Sequence, residues 1–140
     1  MPASSDEAIL EAWGGARGVS RQYLATVAEQ IREAVEMAGE QPATVWYGEF
    51  CTSIDVASVR ANLGGWDAVW KAVLADEGFE PLRGVDGWEL GMPHAGLVVR
   101  VGPEGRELWI AGLKDCVPLR SPADLRRRVA AARGLFGEDN

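Results

Sequence analysis

Apolar residues recur at helical spacing through the first half of this chain and at strand spacing through much of the second. From Ser5, the positions Ile9, Leu10 and Trp13 share one face of a short helix. Ser5 is placed to cap it, Asp6 and Glu7 sit in the first turn where a helix dipole favours anions, and Gly14-Gly15 stops it. A glycine-rich turn leads to Ser20, which is expected to cap a longer helix with the stripe Tyr23, Leu24, Val27, Ile31, Val35 and Ala38. Gly39 and Pro42 end that helix.

Residues 43–51 read as a further short helix presenting Val45, Trp46 and Phe50. Asp55 is expected to cap the next, with Val56, Val59 and Leu63 inward and Ser58, Arg60, Ala61 and Asn62 outward. After Gly64-Gly65 a helix starts near Trp66 and carries Val69, Trp70, Val73 and Leu74. Two helices joined by so short a glycine turn predict helix-turn-helix geometry.

Beyond Pro81 the period changes. Leu97–Val101 and Glu107–Ala111 are β-rich runs around the turn-forming residues 102–106, the pattern of an antiparallel hairpin, and Cys116–Leu119 reads as an edge strand limited by Pro118. Ser121 caps a last helix with Pro122 in its first turn; Leu125, Val129, Ala132 and Phe136 mark its buried side, while Arg126, Arg127, Arg128 and Arg133 crowd its other faces. The expected fold is α+β: a helical, helix-turn-helix-like unit over residues 1–81, then a β-hairpin and a basic closing helix over residues 82–140, packed with the first as one body.

Three short motifs follow one another in the helical part: Gly39-Glu40-Gln41-Pro42, Leu63-Gly64-Gly65-Trp66 and Gly78-Phe79-Glu80-Pro81. Their order and spacing resemble the homing endonuclease-associated repeat, a small helical DNA-binding unit found beside the catalytic domains of some homing endonucleases. The resemblance covers about residues 22–81. It implies a helix-turn-helix-like module with Ser58, Arg60, Asn62 and Lys71 as its DNA contacts and Trp66 at the core position between the two helices. The chain departs from the repeat in two ways: only Arg60 is basic ahead of the glycine turn, and the stretch from Trp66 to Gly78 is about one helical turn longer.

Charge pulls against that implication. The 140 residues carry a net −7, unevenly spread. Residues 1–40 hold three basic and seven acidic side chains, residues 41–81 two and six, and residues 82–140 nine and eight. An acidic domain repels phosphate, and affinity for DNA rests on cations that release counterions. Positive charge collects instead on the last helix, where Arg126, Arg127, Arg128 and Arg133 are candidates for phosphate contacts, for pairing with nearby carboxylates such as Asp124, or for an acidic partner protein.

The 47% apolar content supports a well-formed core. No apolar run approaches the length of a membrane span, and the first residues lack the basic and apolar regions of a signal peptide, so a cytoplasmic protein is expected. Cys51 and Cys116 lack metal-site spacing and are expected to be buried, reduced thiols. His94 is the only histidine, and no nucleophile elbow, zinc spacing or dinucleotide fingerprint occurs, which points away from an enzyme and implies no cofactor. Of the six tryptophans, Trp13, Trp46, Trp66 and Trp70 are expected inside, and Trp109 is a recognition candidate if exposed. Two functions remain. One is a non-enzymatic DNA-binding or regulatory protein, of the kind a phage or mobile element carries as an accessory. The other is an acidic protein-interaction or inhibitor module on a former DNA-binding scaffold.

Overall fold

Ser5 caps the first helix as its position predicts: its hydroxyl accepts from the Ala8 N–H at 3.2 Å, and helix α1 (Asp6–Trp13) runs to Gly14, whose positive φ of 116° closes it. The computed structural model describes residues 5–15, 18–37, 39, 41–82, 87–90, 97–102, 105–110 and 116–135, with the backbone only at 101, 102, 110 and 133–135. The chain is α+β, and it divides into two compact units between Ala72 and Val73.

The first unit continues through a single 3-10 turn, Arg21–Tyr23, into helix α2 (Leu24–Glu36). Ser20 precedes the turn in an extended conformation and makes no side-chain cap, so the expected cap is replaced by tightening of the first turn. Val27, Ile31 and Val35 form the predicted stripe and are fully buried; Ala38 lies outside the described residues.

Residues 43–54 are not helical. They form an antiparallel hairpin of β1 (Ala43–Tyr47) and β2 (Phe50–Ile54), in the register Trp46 opposite Cys51 and Tyr47 opposite Phe50. The reason is local: Thr44-Val45-Trp46-Tyr47 and Phe50-Cys51-Thr52-Ser53-Ile54 are aromatic and β-branched runs, and the Gly48-Glu49 pair between them supplies a two-residue turn. Gly48 has φ 67°, and a Cβ there would stand 2.9 Å from the Tyr23 hydroxyl, so both backbone and neighbour require glycine. Val45 and Ile54 point inward and join Ile9, Trp13, Val27, Ile31, Val35, Val56 and Val59 in one core. Burying each such side chain stabilises by roughly 1.5–3 kcal/mol.

Helix α3 (Val56–Asn62) starts at Asp55, whose carboxylate accepts from the Ser58 N–H, and helix α4 (Trp66–Asp76) follows the Leu63-Gly64-Gly65 turn. Gly64, at φ 105°, would place a Cβ 2.9 Å from that of Ala68. The largest fully buried side chain is Trp70, while Trp66, expected in the core, is half-buried and meets Trp70 edge-on with centroids 6.1 Å apart.

The second unit holds a five-stranded antiparallel sheet in chain order: β3 (Phe79–Pro81), β4 (Gly87–Leu90), β5 (Leu97–Gly102), β6 (Gly105–Ile110) and β7 (Cys116–Leu119). The expected hairpin is β5–β6, and β7 is the expected edge strand with Pro118. Phe79–Pro81, grouped above with the helical unit, belong to the sheet because they pair with Trp88–Leu90. Phe79, Leu90, Leu97, Val99, Leu108 and Leu119 share one buried face by register; Glu80, Glu89, Val98, Arg100, Glu107 and Trp109 share the other. Helix α5 (Pro122–Leu135) closes the unit, with Leu125 and Val129 fully buried and a contact to β7.

Candidate functional site

The side chains placed on the outer face of α3 by their spacing are engaged within the first unit. Arg60 is 8% exposed. Its Nε donates to the Val35 carbonyl at 2.9 Å, its Nη2 reaches the carbonyls of Ala34 at 3.4 Å and of Met37, and its Nη1 donates to Gly39. The last carbonyls of a helix have no intrahelical donor, and a cation at this end is also favoured by the dipole, so Arg60 closes α2. Its guanidinium carbon lies 4.5 Å from the centre of the Trp66 ring. Asn62 does the same for α1, its Nδ2 donating to the Ala12 carbonyl at 2.8 Å. Ser58 Oγ bonds the Asp55 carboxylate at 3.0 Å. Arg60 is therefore corrected from an outward contact to an internal helix closure, whereas Ser58 and Asn62 are exposed as expected, the Asn62 amide also bonding the end of α1. Lys71 is exposed on α4.

The arginines of α5 are drawn to carboxylates of the second unit. Arg126 Nη1 lies 2.7 Å from Asp76 and 3.2 Å from Glu77 at the end of α4. Arg127 bonds Asp124, and Arg128 Nε is 3.4 Å from the same carboxylate. The side chain of Arg133 lies outside the described residues, as do His94 and Phe136. Ser121 caps α5 by accepting from the Asp124 N–H at 3.1 Å, and Asp124 in turn accepts from the Arg120 N–H at 3.2 Å. Burial of Asp124 pushes its carboxyl upward, but the Arg120 N–H, the Arg127 hydrogen bond and the charge of Arg128 outweigh it and hold the pKa below the usual carboxylate value.

A lowered folded-state pKa contributes stability above the unfolded pKa of about 3.9, and that contribution is lost as pH falls through the folded value. Asp124→Asn is therefore expected to lower stability at neutral pH by about 1–3 kcal/mol, the cost of losing the charge-assisted contacts of a buried carboxylate with Arg127 and Arg128. The gap to the parent should close below about pH 4, in the same direction. Urea melts at a series of pH values check this; a gap independent of pH would detach Asp124 from its arginines.

The surface that stands out is the hairpin of the first unit. Trp46 is 56% exposed, against the expectation that it lies inside, and Phe50 is 65% exposed. Thr44, Trp46, Cys51 and Ser53 share its outer face by register, and all four are exposed, so Cys51 is not the buried thiol expected: alternation on β2 turns it outward. Phe50 stacks on Tyr47 across the turn end, with centroids 5.9 Å apart. The strand is held in place by Gln30 of α2, whose amide accepts from the Trp46 N–H at 2.8 Å and donates to the Trp46 carbonyl at 2.7 Å. The aromatic is thus mounted on a backbone fixed at two points. Trp109, the other recognition candidate, is half-buried opposite Cys116.

No helix among the described residues is long and apolar enough to cross a membrane, and no group of three or more histidine, cysteine or acidic side chains among them could hold a metal ion. The fold defines an α+β protein of two units carrying a hairpin with exposed aromatics. No known protein family, curated protein or solved structure matches the chain.

Proposed function

We propose that this chain is a non-enzymatic protein-interaction module, and that the hairpin of the first unit carries the interaction. The single observation behind this reading is the exposure of Trp46 and Phe50 on a rigidly held two-stranded element. Large aromatics cost exposed apolar area in the free protein and contribute strongly when a partner covers them. The acidic balance of the chain favours a protein partner over nucleic acid. The resemblance to the homing endonuclease-associated repeat then describes a scaffold on which the basic side chain ahead of the turn, Arg60, serves to finish a helix.

Binding of DNA is the reading this one displaces. Arg60 and Asn62 are committed to helix ends, and Arg126, Arg127 and Arg128 are beside carboxylates that offset their charge. The chain is expected to pass through a DNA-cellulose column at low salt. Cross-linking in the source cells should capture a protein partner with the parent chain and lose it with Trp46→Ala combined with Phe50→Ala, while circular dichroism stays unchanged. Retention on DNA that falls steeply with salt, or equal capture by the double variant, would sink the proposal.

A further inference from the structure

We infer that the partner adds as a strand to the outer edge of β2, and that it is an extended peptide segment with a basic residue at each end of a neutral core. This rests on the protein-binding reading above and names how, and with what, the hairpin binds.

The backbone carries the first step. Trp46 sits opposite Cys51, yet both of its backbone groups are bonded to Gln30 and so point away from β2. In an antiparallel ladder such a residue belongs to a wide, non-bonded pair, so Cys51 also turns its N–H and C=O outward. Alternation gives Ser53 the same orientation, opposite Thr44. The outer edge of β2 thus presents two donors and two acceptors in line, beside side chains that are themselves exposed.

The other sheet edges are protected. β3 has three residues and ends in Pro81, and β7 has four and contains Pro118, which has no N–H to offer. β1 is held at Trp46 by Gln30. β2 has five residues with neither proline nor charge among them, and no described helix or strand other than β1 packs extensively on it. Proteins ordinarily blunt such an edge, and this chain blunts the rest.

Charge decides the occupant. A second copy pairing antiparallel, with Cys51 opposite Ser53 of the other copy, would satisfy all four groups around an axis at Thr52. The same register sets Glu49 against Asp55 of the other copy at both ends, and like charges directly opposite are destabilising. Those two carboxylates flanking a neutral strand instead suit a peptide with Lys or Arg at each end. Cys51, a small side chain, stands between Trp46 and the open edge and leaves the indole free to cover an incoming residue.

The test uses the full chain and two synthetic peptides with a common Val-Thr-Ile-Thr-Val core, one ended by lysines and one by glutamates, followed by amide hydrogen exchange. The lysine-ended peptide is expected to slow exchange at Cys51 and Ser53 roughly tenfold or more, and the glutamate-ended peptide to leave both unchanged. Ser53→Pro removes one outward N–H and no bond of the β1–β2 ladder, so it should keep the melting temperature and weaken binding at least tenfold. Glu49→Lys should weaken the lysine-ended peptide and admit the other. The proposal is overturned by absence of slowing, by equal binding of the two peptides, by Ser53→Pro binding as the parent does, or by protection of Cys51 and Ser53 that rises with protein concentration alone, which would make the occupant a second copy. If strand addition fails while the Trp46 and Phe50 variant still loses its captured partner, the partner lies on the exposed aromatics of the hairpin and only the edge is refuted.

Discussion

Trp70→Ala is expected to lower stability by about 3–5 kcal/mol, the cost of removing a large side chain from a packed interior. Trp70 is the largest fully buried side chain, and no neighbouring helix can collapse into the volume of an indole without moving. Trp66→Ala should cost less, about 1–2 kcal/mol, because the ring is half-buried and contributes mainly an edge-on contact to Trp70 and a face to Arg60. Urea melts of the two variants provide the comparison. Equal losses would return Trp66 to the core position that the resemblance to the repeat implies.

Replacing Arg60 should be nearly as costly. Arg60→Ala strips the donors from the carbonyls of Ala34, Val35, Met37 and Gly39 at once, and stability is expected to fall by about 2–4 kcal/mol, the range for hydrogen bonds to a charged group together with acceptors left unsatisfied in the interior. Arg60→Lys is the sharper experiment. A point charge on a flexible stem cannot reproduce a planar fork bonded to several carbonyls and lying over an indole, so lysine should recover less than half of the loss. A residue serving as a phosphate contact would instead tolerate lysine with no change in melting temperature.

What the sequence disclosed follows from how local each signal is. The caps at Ser5, Asp55 and Ser121 were legible because a side-chain oxygen and the amide it receives are three residues apart. The stripe of Val27, Ile31 and Val35 and the hairpin of Leu97–Gly102 with Gly105–Ile110 were legible because periodicity is local too. Arg60 was misread as a surface residue because its acceptors lie 21 to 26 residues away in sequence, and nothing in α3 announces which helix end will come to it. Residues 43–54 are a different kind of miss. The signal was present in the β-branched and aromatic runs around Gly48-Glu49, but the expectation of an all-helical repeat took precedence over it. The site moved with that element, since Trp46 is exposed by strand alternation and Phe50 lies at the turn end, stacked on Tyr47.

The closure of α2 by Arg60 also has a kinetic meaning. Gly14 and Gly15 close α1 locally on the Leu10 and Glu11 carbonyls, but the carbonyls of Ala34 and Val35 at the end of α2 receive Arg60 from much later in the chain, so that end remains frayed until α3 arrives. Under native conditions the amides of α3 and of the final turn of α2 should then open together, as a single cooperative unit with one free energy of opening, while the end of α1 opens on its own.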